Sequence, residues 1–100
     1  MKIKEIIEKY LPILQDLQTK VAACGNQNLE MNVYVSHTCL RADILLNRED
    51  GTGLEKWCNE FLFDYLPDEW LDRSVCELNA FFAECNMTTP TGVNYPICQN

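Results

Sequence analysis

The sequence predicts a single α+β domain in which a bent N-terminal helix, an antiparallel β-hairpin and two C-terminal helices share one core. Near the N-terminus and after residue 53, apolar residues recur at steps of three and four, which is typical of helices. Between residues 29 and 46 they recur at every second position, which is typical of strands. A length of 100 residues with 47% hydrophobic residues suits one globular unit. We therefore expect residues 1–100 to form one domain.

The first predicted element is a helix over residues 2–23. Pro12 interrupts its pattern and lacks a backbone donor, so we expect a bend near Tyr10. Because Pro12 lies on the polar side, the apolar stripe remains continuous, and Gly25 is suited to the C-terminal cap. The stripe consists of Ile3, Ile7, Tyr10, Leu14, Leu17 and Val21.

Residues 29–35 and 40–46 predict the two strands of an antiparallel hairpin. A register in which the numbers of paired residues add to 75 brings the apolar positions of both strands onto one face. The same register places Tyr34 beside Arg41 on the opposite face. Because a two-stranded hairpin is marginally stable alone, we expect the helices to cover it.

Two helices are predicted after the polar, glycine-containing loop at residues 48–53. The first covers residues 54–66, where apolar residues occur at i, i+3, i+4, i+7, i+8 and i+11. Pro67 ends it and begins the second, which extends to about Asn86. Residues 87–100 are predicted to form an ordered tail or, alternatively, a third strand at the sheet edge. The buried stripe of the last helix is expected to contain Leu71, Val75, Leu78, Phe82 and Cys85, with Trp70 and Phe81 beside them.

Six cysteines leave two interpretations of the cellular compartment open. Cys58 and Cys85 occupy apolar positions of predicted helices, which favours reduced, structural thiols. No run approaches the length of a membrane span, and the N-terminus lacks a signal-peptide pattern, so we expect a soluble, cytoplasmic protein. The alternative is a secreted, disulfide-stapled binding or effector domain, since the cysteine number is even and residues 86–88 match a glycosylation acceptor.

Catalytic and metal-binding motifs are not recognisable in the sequence. His37 and Cys39 are the nearest histidine and cysteine, but a zinc site needs two further convergent ligands. A thiol nucleophile also needs a base and oxyanion donors, which a hairpin turn does not supply. We therefore expect a protein that is not an enzyme, with no catalytic residues, metal or cofactor. A small thiol or metal enzyme that uses Cys39 and His37 is a further alternative.

The charge is the most informative property of the composition. The chain carries a net charge of -7, and residues 51–100 contain eight acidic residues against Lys56 and Arg73. This excess opposes direct binding to nucleic acid or to an anionic membrane and predicts a basic protein surface as partner. Phe63 is a candidate apolar anchor beside the acidic contacts. The predicted contact residues are Glu55, Glu60, Asp64, Glu69, Asp72 and Glu77.

In its length, its helix–hairpin–helix–helix order and its acidic segment from Glu55 to Glu84, the chain resembles the small phage-encoded inhibitors of CRISPR-Cas systems, the anti-CRISPR proteins. The resemblance is one of organisation and involves no shared motif. It implies a non-enzymatic inhibitor that binds a nucleic-acid-binding effector in the host cytoplasm, with the acidic helices acting as a DNA mimic. The other interpretation of the charge is a solvated face that keeps the protein soluble.

Overall fold

The computed structural model describes residues 1–86, which form an α+β fold with one three-stranded antiparallel sheet and two helices. The strand order is β1-β2-β3, and both helices pack on the same face of the sheet. The tail predicted at residues 87–100 lies outside the described residues. The elements are α1 (Ile3–Ala23), β1 (Leu29–Val35), β2 (Cys39–Asn47), β3 (Leu54–Phe63) and α2 (Asp68–Cys85).

The N-terminal helix is confirmed. It runs without interruption from Ile3 to Ala23 with Pro12 inside it on an exposed position. Gly25 follows the helix with φ +84°, a left-handed conformation that glycine adopts without a steric cost. The residues that α1 buries against the sheet are Ile6, Tyr10, Leu14, Leu17 and Val21. Ile3 and Ile7 of the predicted stripe are half-buried, and Ile6 is the buried residue of the first turns.

The hairpin and its register are also confirmed. β1 pairs with β2 from Leu29 opposite Leu46 to Val35 opposite Leu40, with Tyr34 opposite Arg41. Since side chains alternate between the two faces of a strand, this register directs the apolar set of both strands toward the helices.

The prediction of a helix over residues 54–66 is wrong. Residues 54–63 form β3, which pairs antiparallel with β2 and places Leu62 opposite Leu40 and Cys58 opposite Ile44. The third strand forms hydrogen bonds with the backbone N–H and C=O groups on the second edge of β2, which would otherwise have no partners in the sheet. The segment is also rich in aromatic residues, which favour strands over helices. Between β2 and residue 86 the chain therefore forms one helix, where two were expected.

The last helix is confirmed, since α2 runs from Asp68 to Cys85. Pro67 lies immediately before it and accepts hydrogen bonds from the N–H groups of Trp70 and Leu71 through its carbonyl oxygen. Trp70 was expected beside the buried stripe, but it is 55% exposed. The residues that α2 buries are Leu71, Ser74, Leu78 and Phe82.

The turn between β3 and α2 forms two hydrogen bonds with residues at the beginning of α1. The N–H of Tyr65 donates to the carbonyl oxygen of Met1 at 2.9 Å, and the N–H of Ile3 donates to a carboxylate oxygen of Asp64. The second bond satisfies a backbone N–H group that a helix N-terminus leaves without an intrahelical partner. Both bonds also fix α1 on the same side of the sheet as α2.

Candidate binding surface

The sheet face opposite the helices is uncovered within residues 1–86, and we call it the open face. On β2, Leu40, Ala42 and Ile44 point toward the helices and are fully buried, so the odd-numbered residues point the other way. The same alternation holds on β3, where Leu62 is buried and its neighbours Phe61 and Phe63 are exposed. The open face consists of Glu30, Asn32 and Tyr34 of β1, Cys39, Arg41, Asp43 and Leu45 of β2, and Trp57, Asn59, Phe61 and Phe63 of β3.

Strand pairing arranges these residues in rows that cross the sheet. The two middle rows carry the charged residues of β2, and the outer rows are more apolar. In order along β2, the rows are Cys39–Phe63, Tyr34–Arg41–Phe61, Asn32–Asp43–Asn59 and Glu30–Leu45–Trp57.

Large aromatic side chains dominate the open face. Tyr34, Trp57, Phe61 and Phe63 are each 45% to 58% exposed. An exposed apolar patch costs free energy in water, and contiguous patches of this kind commonly mark interaction sites. The open face therefore has the composition of a binding surface.

Arg41 lies between the aromatic residues without a charged partner. Its guanidinium group stacks over the Tyr34 ring at 4.0 Å from the centroid, which is a cation–π contact. Among residues 1–86, its buried Nε atom has no hydrogen-bond acceptor, and neither of the two ion pairs involves Arg41. Arg41, Tyr34, Phe61 and Cys39 line a shallow groove of about 270 Å³. The groove thus offers an unpaired cation between two rings.

Asp43 is the second unsatisfied charged residue of the open face. It is 8% exposed and lies between Asn32 and Asn59 of the neighbouring strands. Its buried Oδ1 atom has no hydrogen-bond donor in the described part of the chain. A buried polar atom without a partner costs about 1 to 3 kcal/mol. Asp43 and Arg41 are two residues apart on the same face of β2. Within residues 1–86, this face therefore contains one buried donor without an acceptor and one buried acceptor without a donor.

The six acidic residues predicted as contacts do not belong to the open face. Glu69, Asp72 and Glu77 are exposed on α2, and Glu55 is exposed at the start of β3. Asp64 is half-buried because it accepts the N–H of Ile3.

Glu60 points toward the helices from the middle of β3. Burial, followed by the influence of Glu77 on α2, raises the pKa of Glu60 to about 7. The neighbouring Cys58 thiol lies 3.9 Å from a Glu60 carboxyl oxygen, and burial together with the Glu60 charge raises the pKa of Cys58 to about 12. A thiol in this state is protonated and weakly nucleophilic at neutral pH. Glu60 and Glu77 therefore form a carboxyl pair between strand and helix.

The thiol and metal alternatives concern His37 and Cys39, which lie in and directly after the hairpin turn. The five cysteines within residues 1–86 are free thiols. His37 is exposed in the hairpin turn, whereas Cys39 is half-buried beside the groove of the open face. In this part of the chain, no three histidine, cysteine or acidic residues are placed to hold a metal ion. Neither described helix has the length and hydropathy needed to cross a lipid bilayer.

Comparisons with protein-family models, with curated proteins and with solved structures found no match to this chain. The function is therefore inferred from the residues of the open face.

Some residues of the open face could be predicted from the sequence, and others could not. The hairpin register alone places Tyr34 beside Arg41, and the structure confirms that pair. Trp57 and Phe61 lie in the segment that was predicted to be a helix over residues 54–66, and that prediction is wrong. The aromatic content of residues 54–63 was the signal for a strand, since aromatic residues favour strands.

Proposed function

We propose that the protein is a non-enzymatic interaction domain that binds another protein through its open face. The observation that carries this proposal is the exposure of four aromatic side chains around Arg41, on a sheet face that no element within residues 1–86 covers. Tryptophan, tyrosine and arginine are the residues most enriched among those that dominate binding energy. The rigid sheet holds Tyr34 and Arg41 in position, so little conformational entropy is lost on binding.

A basic protein surface is the proposed partner, most concretely that of a nucleic-acid-binding effector such as a CRISPR-Cas protein. The net charge of -7 supports this class because it steers association with a basic partner. In this proposal the acidic residues of α2, such as Glu69 and Glu77, raise the association rate. The aromatic residues of the open face supply most of the affinity. The protein would then inhibit the effector by covering the surface that binds nucleic acid.

Direct binding of single-stranded nucleic acid is disfavoured, although exposed aromatic residues on a sheet can stack with bases. Proteins that bind single strands combine such residues with a positively charged groove. The open face has Arg41 as its single cation against Glu30 and Asp43, within a chain of net charge -7. A protein partner agrees with both the charge and the aromatic content.

The proposal is tested with two tryptophan variants of matched exposure. Trp57 on the open face is 58% exposed, and Trp70 on α2 is 55% exposed. We expect Trp57→Ser to weaken binding of a purified partner by about tenfold or more, and Trp70→Ser to leave it unchanged. The partner is first captured from lysate with the wild-type protein, then purified, and its Kd is measured by calorimetry with all three proteins.

The contribution of charge is tested on the same purified pair. Glu69→Gln combined with Glu77→Gln should slow association and weaken its salt dependence, with little change in the dissociation rate. Equal binding by wild type and Trp57→Ser would refute the open face as the contact surface. Unchanged association kinetics in the Glu69→Gln, Glu77→Gln variant would refute the basic partner.

A further inference from the structure

We infer that the open face is self-complementary and closes on a second copy of this chain, so that Arg41 of each copy pairs with Asp43 of the other. The two residues have oppositely charged side chains, lie on one face of the central strand, and take part in neither of the ion pairs found within residues 1–86. An occupant that pairs with both must bring an acid and a base at the same spacing. A second copy of the same surface does so by symmetry, and this inference requires no other protein.

The register determines how two copies would meet. Arg41 and Asp43 lie one residue to either side of Ala42 on β2. A two-fold axis that lies between the sheets and crosses the strands at the level of Ala42 places Arg41 of one copy over Asp43 of the other. Two sheets packed face to face in this way keep their strands nearly aligned, as in a β-sandwich.

The same axis matches the remaining rows of the open face. The row of Leu45 and Trp57 lies three residues from Ala42 in one direction, and the row of Cys39 and Phe63 lies three residues away in the other. Trp57 of one copy therefore meets Phe63 of the other, which pairs aromatic with aromatic. In the middle rows, Phe61 meets Asn59 and Tyr34 meets Asn32 across the interface.

Charge does not prevent this association, although each copy has a net charge of -7. On the open face, Arg41 offsets one of the two acids, Glu30 and Asp43. Acidic residues of the helices, such as Glu69 and Glu77, lie behind the sheet. At physiological salt their repulsion is screened over about 8 Å, whereas a pair buried in the interface is screened less. Association should therefore persist at moderate salt.

The available area is that of a weak dimer. A fully buried aromatic side chain contributes roughly 150 to 250 Å², so the four half-exposed rings offer about 400 Å² per copy. With the remaining open-face residues, two copies would bury about 1,000 Å², the lower limit for a specific interface. We expect a dimer with a Kd in the micromolar range, roughly 1 to 100 µM.

The first experiment is sedimentation equilibrium of the purified full-length chain over roughly 1 to 200 µM, which brackets this Kd. The expected result is a concentration-dependent shift from 11.6 kDa to twice that mass. Trp57→Ser should weaken the dimer by about tenfold or more, and the matched Trp70→Ser should leave it unchanged. A wild-type protein that stays monomeric throughout, or equal weakening by both variants, would overturn the inference.

The second experiment tests the reciprocal charge pair. Arg41→Asp and Asp43→Arg each place like charges opposite one another and should abolish the homodimer. Mixing the two single variants should produce a heterodimer, because every pair is then complementary. The double variant Arg41→Asp, Asp43→Arg should form a homodimer again by the same symmetry.

Folding of these variants is checked by circular dichroism, since Asp43 is largely buried. If they do not fold, the tryptophan pair still decides the question, because Trp57 is exposed and its replacement spares the core. Folded single variants that dimerise like the wild type would overturn the charge pairing. The double variant also separates this inference from the proposed function, because it retains the dimer while changing the face that a foreign partner would bind.

Discussion

The hydroxyl group of Tyr10 on α1 donates a hydrogen bond of 2.6 Å to a carboxylate oxygen of Asp72 on α2. Tyr10 is 1% exposed, and burial together with the Asp72 carboxylate raises its pKa above the ordinary value. The bond joins the two helices on the sheet and gives the buried hydroxyl its partner. Asp72 was predicted as a partner contact, and the structure gives it this role between the helices.

Replacing Tyr10 with phenylalanine removes this bond and keeps the ring. We expect Tyr10→Phe to lower the free energy of unfolding by about 1.5 to 3 kcal/mol, the range for a hydrogen bond to a charged acceptor. Asp72→Asn retains an acceptor and should cost less. Urea denaturation at neutral pH measures both, and unchanged stability in Tyr10→Phe would show that the bond is not formed in solution.

The sequence predicted the elements whose apolar residues lie on one side. In α1, and in β1 paired with β2, one periodicity accounts for the buried residues, so even the hairpin register was correct. In β3, Leu62 is buried under the helices while Trp57 and Phe61 are apolar on the opposite face. Two apolar faces of a strand produce neighbouring apolar residues, which mimic helical spacing. The exposed apolar residues of the open face are therefore the reason why the sequence pattern of β3 was interpreted as a helix.

The sequence alone could not predict that Arg41 and Asp43 of the open face have unpaired atoms among the described residues. The hairpin register places Arg41 beside Tyr34 but does not show that Arg41 lacks an ion pair. Asp43 lies opposite Asn59 of β3, in a segment that was predicted to be a helix. Both features follow from tertiary pairing and not from local pattern.

The orientation of β3 predicts different costs for truncating two neighbouring residues. Leu62 is fully buried, so Leu62→Ala should lower the free energy of unfolding by about 3 kcal/mol through the cavity it leaves. Phe61 is 49% exposed, so Phe61→Ala should cost about 1 kcal/mol or less. Chemical denaturation at low protein concentration compares the two. Similar losses at both positions would contradict the alternation of a strand.

Pro12 lies at a position where a substitution should stabilise the protein. It lies inside α1, where it removes one hydrogen bond and crowds the preceding turn. Because its position is exposed, Pro12→Ala should repair the helix without disturbing the core. We expect a gain of about 2 kcal/mol, after allowing for the greater freedom of the unfolded chain.

Thermal unfolding measures this change, and Gln15→Ala serves as the control because Gln15 is an exposed residue of the same helix. The control should shift stability by about 0.5 kcal/mol or less. A lower Tm in Pro12→Ala would show that the proline is needed for the helix geometry.

The carboxyl pair of Glu60 and Glu77 predicts a dependence of stability on pH. The pKa of Glu60 is raised from 4.5 to about 7 in the folded protein, mainly by burial, so the folded state binds a proton more tightly than the unfolded state. The stabilisation from this proton is complete below about pH 4.5 and is lost as the pH rises through 7.

Glu60→Gln removes this titration, because glutamine stays neutral at every pH. Relative to the wild type, we expect the variant to gain about 1 to 2 kcal/mol of stability between pH 5 and pH 8, a value reduced for the solvent that screens a half-buried carboxyl. Urea denaturation at both pH values gives the difference, and Glu69→Gln, at an exposed position of α2, controls for the general loss of a negative charge. If the stability difference between Glu60→Gln and the wild type does not change with pH, Glu60 does not titrate in this range. A pH-dependent gain seen equally in Glu69→Gln would assign the effect to net charge, because burial distinguishes the two glutamates.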